Sequence, residues 1–306
     1  MTYVMTLHSI PDQIERFSLK HRIYYRALDL LPRILVLFES FPTTRLPSYT
    51  KPETTSKEVP GCIPLVVRQT WQSNALGRKH ALSRQAFVDL NPEFSFEFYD
   101  DAQMSQYMQE NWGSTCLGDA FERAMFGPLK TDLFRYCITF DKGGFYCDIS
   151  KGIGRPIATM ISKDAKELLS FEKNTYDLPV GKKVENEIIP LNRVINYAFG
   201  FERHHPILNT LLNQICEDLP DYFDKVFANP KDAIISLTGP VALSRAIFNF
   251  IEEGTSSLKL NFRGVDFEGS GIFALPGSYF RYWKSPSYLF SKPSTLFRSS
   301  QKFRNL

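Results

Sequence analysis

Long apolar runs are scarce in this 306-residue chain. The longest near the start, Ala27 to Phe38, is interrupted by Asp29, Pro32 and Arg33, and it falls short of the ~20 residues that cross a ~30 Å hydrocarbon core. No membrane span is expected there, and its distance from Met1 with no clean small-residue cleavage site makes it a poor signal peptide. Charge of one sign is also lacking: 23% of residues are charged but the net is +3, which gives no broad footprint for a polyanion, so nucleic acid is not expected as a partner. Cysteines are few. Cys62, Cys116, Cys137, Cys147 and Cys216 are odd in number, widely spaced and without a CxxC pattern, so no structural zinc site is built from them, and a reducing, cytoplasmic compartment fits. No repeat or low-complexity block occurs, which excludes a solenoid.

What is present is a composition that is 43% hydrophobic, enough for one large core, and a single enlarged α/β domain is expected. Residues 1–59 read as a basic, helical extension followed by a linker in which Pro42, Pro47, Pro52 and Pro60 interrupt any regular element. The domain proper then covers 60–306, in two halves, 60–155 and 156–306. Ile63 to Val67 is a short apolar run suited to a strand buried on both faces. Leu76 to Leu90 carries Leu82, Ala86 and Leu90 at helical spacing. Phe94, Phe96 and Phe98 alternate with polar neighbours as a second strand, and Asp101 is placed to cap the next helix. Leu129, Leu133, Cys137 and Phe140 recur on one helical face that Gly143-Gly144 ends, and Phe145 to Ile149 is a third strand. Strands alternating with helices imply a mostly parallel sheet covered on both sides, with ligands at the carboxyl ends of its strands.

Three features stand at those ends. Gln69, Thr70 and Trp71 follow the first strand, and a tryptophan there offers a face for a nucleotide base as well as a body for the core. Asp132 and Arg135 share a helical face, which for a surface pair is worth little. Tyr146, Asp148 and Ser150 share one strand face, so Asp148 is a lone acid in an apolar strand and must meet a partner, a metal or water. His204-His205 precede Pro206 with no acid or cysteine at metal spacing and read as structural. The tail from Gly277 to Leu306 combines Arg281, Lys284, Lys292, Arg298, Lys302 and Arg304 with aromatic residues and no acid. That composition suits an anionic membrane surface as well as plain packing.

Taken in order, Ile63 to Trp71, Phe98-Tyr99-Asp100-Asp101, Lys130 to Tyr136, Gly143 to Asp148, Asn196 to Gly200, His205-Pro206 and Thr238-Gly239-Pro240 resemble the glycosyltransferases of family 32. That family includes fungal initiating mannosyltransferases and bacterial capsular-polysaccharide sugar transferases. The resemblance spans about residues 63–247 and implies a GT-A-like nucleotide-sugar fold and transfer with retention at the anomeric carbon. It implies a GDP-sugar or UDP-sugar donor and a glycan or lipid-linked saccharide acceptor. Gln69, Thr70, Trp71, Asp132, Arg135, Tyr136, Gly144, Asp148 and Ser150 would hold the donor, and Asp132, Arg135 and Asp148 would carry catalysis. A divalent ion, Mn²⁺ or Mg²⁺, would sit at Asp148 and Ser150. Two departures stand out: Arg68 where the family commonly has His, and Ser150 where its Asp-x-Asp motif has the second acid. The second leaves a rival, a non-catalytic nucleotide-sugar-binding protein. Lys151 and Arg155 follow closely and are candidate counter-charges for a diphosphate.

Overall fold

The alternation of strands and helices expected from residue 63 onward is what the chain builds. The computed structural model describes residues 43–50, 62–149, 151–162, 164–172, 193–252, 260–265, 272–274 and 292–299. In order these form β1 (Thr43–Arg45), β2 (Tyr49–Thr50), β3 (Val66–Thr70), β4 (Ala75–Gly77), α1 (Arg78–Leu90), β5 (Ser95–Tyr99), α2 (Asp101–Trp112), α3 (Cys116–Arg123) and α4 (Gly127–Lys142). There follow β6 (Gly144–Cys147), β7 (Lys151–Ile153), β8 (Glu167–Phe171), β9 (Ala198–Phe201), α5 (Pro206–Asp218), β10 (Val226–Phe227), α6 (Pro230–Leu237), α7 (Pro240–Glu252), β11 (Phe262–Val265), β12 (Ile272–Ala274) and β13 (Ser294–Thr295).

Seven strands make one mixed sheet in the order β11-β8-β9-β6-β3-β5-β2. β3 runs parallel to β5 and β6, β9 antiparallel to both β6 and β8, β8 parallel to β11, and β2 antiparallel to β5. All strands but β9 and β2 therefore point the same way, so the sheet is mostly parallel and flanked by helices as expected. The expected first strand is shifted: pairing begins at Val66 rather than Ile63. The helix after β5 is capped by Asp100, which forms a reciprocal capping box with Gln103, rather than by Asp101.

Side-chain alternation divides the core. Tyr146, Phe199 and Phe201 face a large cluster built with α2 to α7, whereas Val67, Phe96, Phe145 and Cys147 face a smaller one that includes Phe87 of α1. The expected apolar stripe of α1 is not the buried one: Leu82 is 60% exposed while Arg84 is 4% exposed and Phe87 is buried. α4 differs as well, burying Asp132, Arg135 and Tyr136 together with Leu129, Leu133 and Cys137, because it is wedged between the sheet and α2, α3 and α5.

One organisational expectation is corrected. Residues 43–50, expected within an irregular linker, pair as β1 with β4 and as β2 with β5; an edge strand bonds on one side only, so Pro47 between the two pieces is tolerated. The two halves of the domain share the one sheet, since β6 from the first pairs with β9 from the second. Residues 1–42, most of the basic aromatic tail, and Ser150 lie outside the described residues. Of the tail, Leu296 and Phe297 are buried in the main core.

The chain also holds a disulfide, Cys116–Cys216, which links α3 to α5 across a separation of 100 residues. This counts against the reducing compartment that the cysteine pattern suggested, since such bonds persist in oxidising ones. The stretch Pro230–Ile251 is long and apolar enough to cross a membrane by length and composition. It is two helices, α6 and α7, that bury Ile234, Leu237, Leu243 and Ile247 in the main core.

Candidate functional site

At the carboxyl end of β6 the chain places two acids on either side of one guanidinium. Asp132 and Arg135 are one helical turn apart on α4 and point at the sheet, and the alternation of β6 puts Asp148 on the Tyr146 side, facing them. Arg135 Nη2 lies 3.1 Å from Asp148 Oδ1 and 3.4 Å from Asp132 Oδ1. The helix pair is buried, with side chains 6% and 7% exposed, whereas that of Asp148 is 26% exposed. The reading of Asp132 and Arg135 as a solvated surface pair is thereby excluded.

Each member is held by groups from distant parts of the chain. Asn196 Nδ2 donates to Asp132 Oδ1 at 3.1 Å and Thr238 Oγ1 to Asp132 Oδ2 at 3.0 Å. Arg135 Nη1 donates to the Asn196 carbonyl, while Arg135 Nε is buried with no hydrogen-bond partner. Tyr146 Oη donates to Asp148 Oδ1 at 2.9 Å and lies 3.1 Å from Thr70 Oγ1, so the Thr70 hydroxyl is the donor to Tyr146. The Arg135 guanidinium also sits over the Tyr146 ring, 4.6 Å from its centroid.

Burial sets the electrostatics. It pushes the Asp132 carboxyl up to about 7 against the opposing pull of Arg135, Thr238 and Asn196. For Arg135 burial alone would lower the pKa, but Asp148, Tyr146 and Asp132 outweigh it and hold the guanidinium charged. The outcome is a buried cation locked between a buried acid that titrates near neutrality and an acid open to water.

The other expected residues divide. Thr70 joins the site through Tyr146. Tyr136 borders it but is fully buried, its hydroxyl spent on the Thr238 carbonyl at 2.9 Å, so it supports Asp132's partners rather than reaching a ligand. Trp71 is half-buried against a cluster of Leu46, Leu76, Phe98 and Ile149, beside Asp148 in sequence through Ile149. Gln69 points to the opposite face of the sheet, where its Oε1 accepts from Arg84 Nε at 3.1 Å. Gly144 is not at the site: it opens β6 at the amino end, where φ of +100° and close approach to the Val66 carbonyl and the Arg68 guanidinium require glycine. Arg68 there pairs with Glu97 at 2.7 Å. Lys151 Nζ lies 4.5 Å from the centroid of the Tyr197 ring. His205 is structural, accepting from Ile207 N through Nδ1 and meeting Glu167 through Nε2 at 3.1 Å.

Asn196 and Thr238 were visible in the sequence only as parts of the blocks that resemble the family, with no role assigned. Their side chains are small, polar and fully enclosed, and only the fold brings them 64 and 106 residues back to Asp132. For a divalent ion the described residues offer little: no group of three His, Cys, Asp or Glu side chains gathers among them. Asp148 Oδ1 is committed to Arg135 and Tyr146, which leaves Asp148 Oδ2 as the carboxylate oxygen an ion would use, with phosphate oxygens and water making up its shell.

Comparison with known proteins gives the chemical context. No family model matches the chain. It is similar to inositol phosphoceramide mannosyltransferase 3 of Schizosaccharomyces pombe, with 24% identity over 185 residues, 60% of this chain and 44% of that protein. It is similar to mannosyl phosphorylinositol ceramide synthase SUR1 of Saccharomyces cerevisiae, with 24% identity covering 72% of this chain and 50% of that one. The initiation-specific alpha-1,6-mannosyltransferase of Candida albicans is 24% identical over 67% of this chain and 56% of its own length. The homologues of this chain are fungal mannosyltransferases. The resemblance carried by the motifs is therefore borne out, and the chain spans about half the length of the curated relatives it matches. Among solved structures the PaToxG glycosyltransferase aligns with a TM-score of 0.42 at 11% identity, over 77% of this chain and 82% of that one.

Proposed function

We propose that this chain is a glycosyltransferase that moves a hexose, by its relatives a mannose, from a nucleoside-diphosphate sugar to a glycan or lipid-linked acceptor with retention of configuration. The observation that carries the reading is the Asp132–Arg135–Asp148 bridge at the carboxyl end of a mostly parallel sheet, in a chain whose homologues are mannosyltransferases. Cleaving a glycosyl-phosphate bond builds negative charge on the diphosphate and positive charge on the sugar, and preorganised charges lower that barrier most. Asp148, open to water and anchored by Tyr146 and Arg135, faces the developing positive charge or an ion on the diphosphate. Arg135 keeps a fixed orientation because both carboxylates and the Asn196 carbonyl hold it. Asp132, with both oxygens engaged, acts as the anchor of that arrangement rather than as a nucleophile. Trp71 would stack on the base. A divalent cation, Mn²⁺ or Mg²⁺, would neutralise the diphosphate and be held by Asp148 Oδ2 with donor oxygens. The disulfide favours an oxidising compartment, with membrane contact through the basic aromatic tail as the route to a lipid-linked acceptor.

The test is a thermal-shift screen of GDP- and UDP-sugars with and without Mn²⁺, since a ligand at 100 times its Kd stabilises by ~2.7 kcal/mol. It is followed by transfer assays of the hit on Asp148→Ala. Binding with transfer reduced by about 10²–10³-fold in the variant is expected. Binding with no transfer by the wild type would select the non-catalytic nucleotide-sugar-binding protein, and no binding by any nucleotide sugar would sink the reading.

A further inference from the structure

The other face of the same strand end carries a charge that the proposed reaction does not use. α1 turns Arg84 inward, at 4% exposure, and leaves Leu82 60% exposed, the reverse of what a helix placed only for packing does. Among the described residues no acid pairs with the buried guanidinium. Its Nε donates to the neutral Gln69 amide at 3.1 Å, and its Nη2 is buried with no hydrogen-bond partner. The Phe96 ring lies 5.7 Å from the guanidinium carbon, a weak compensation beside a full charge taken out of water. Burial lowers the Arg84 pKa to about 10, the mark of a cation unsupported by a counter-charge. Because Gln69 Oε1 is taken by Arg84, what this amide has left to offer is its NH₂. The pair presents donors and a positive charge, and nothing that repels an anion.

The pair lies next to the site already described. Gln69 is adjacent to Thr70, which reaches Tyr146 and through it Asp148. Ala81, one turn before Arg84, packs on the cluster of Phe98 and Ile149 that also holds Trp71. Carboxyl ends of parallel strands are where such sheets take ligands, and charges kept buried at a cost to stability gather at functional sites. We propose that Arg84 and Gln69 form an anion site on the α1 side of β3, and that it takes a phosphate of a nucleoside diphosphate. The nucleotide identity of the ligand rests on the proposed function; the anion site itself does not. A base carbonyl would satisfy the free N–H but leave the charge unanswered, whereas a phosphate answers both.

The experiment is calorimetric titration of inorganic pyrophosphate, a nucleoside diphosphate and the matching nucleoside into the full wild-type chain, Arg84→Met and Arg84→Lys, with thermal unfolding of each ligand-free protein. Arg84→Met is expected to bind pyrophosphate and nucleoside diphosphate at least tenfold more weakly and the nucleoside unchanged, with Arg84→Lys in between. Ligand-free Arg84→Met is expected to melt no lower than wild type, because the change removes an unanswered buried charge. Equal diphosphate affinity in Arg84→Met and wild type would overturn the anion site and leave the donor reading intact. Wild-type binding of pyrophosphate but of no nucleoside diphosphate would remove the donor reading and leave the anion site standing. A ligand-free Arg84→Met that unfolds early, or a wild type that binds no pyrophosphate, would show Arg84 to be structural.

Discussion

Asp132 takes its unusual character from its neighbours rather than from its own position on α4. Two neutral donors and one guanidinium surround a fully enclosed carboxyl, and burial still raises its pKa to about 7. In the unfolded chain it titrates near 3.8, so between about pH 4 and 7 the folded chain binds a proton that the unfolded chain does not. Linkage then makes this group's contribution to stability fall as pH rises through that window and level off above it. Urea unfolding at a series of pH values should show that fall in wild type and lose it in Asp132→Asn; an identical profile in the variant would remove Asp132 as the titrating group. Helical spacing and strand alternation, which are local rules, put Asp132 with Arg135 and Asp148 with Tyr146, but only the family resemblance joined Asp132, Arg135 and Asp148 as one site. Asn196, Thr238 and Arg84 were not legible in their roles, because a small polar residue or an inward-turned arginine leaves no periodic trace until the chain is folded.

At the scale of single elements, the join between α4 and β6 fixes where the acids meet. Gly143 ends the helix at φ of +62°, and a Cβ there would stand 2.8 Å from Pro64 Cδ and 2.9 Å from the Arg203 amide. Gly143→Ala should therefore destabilise by about 1–3 kcal/mol through backbone strain, read as a lowered urea midpoint; an unchanged midpoint would mean that the turn has another conformation open to it. A second element-level prediction concerns β8, where Glu167 and His205 form a pair with side chains 5% and 1% exposed. His205→Leu leaves the buried Glu167 carboxylate one hydrogen bond short, with the Asn261 amide still donating to it, and should cost about 1–3 kcal/mol, whereas pairing it with Glu167→Leu should recover part of that loss in a double-mutant cycle. The helix-ending glycines and the existence of each strand could be read from the chain; the buried face of α1 could not, because Leu82, Ala86 and Leu90 match a helical stripe as well as Arg84 and Phe87 do.

At the scale of the whole molecule, the sheet crosses the chain's two halves and the disulfide closes around most of the site. Neither was legible in advance: pairing of β6 with β9 joins segments some fifty residues apart, and cysteines separated by 100 residues carry no local signature. Loop-closure arguments give a bridge of this span about 5 kcal/mol at most, and disulfides typically contribute about 2–4 kcal/mol. Cys116→Ser with Cys216→Ser should lower the thermal midpoint accordingly, and dithiothreitol should lower wild type to the same value while leaving the double variant unmoved. The bond has a further consequence. Asp132, Arg135, Tyr146, Asp148 and Asn196 all fall between Cys116 and Cys216, inside a covalent ring. A protease that cuts the backbone once within that ring opens it without releasing a fragment. Such a nicked chain should migrate as a single species on a gel without reductant and part into two only when reductant is added.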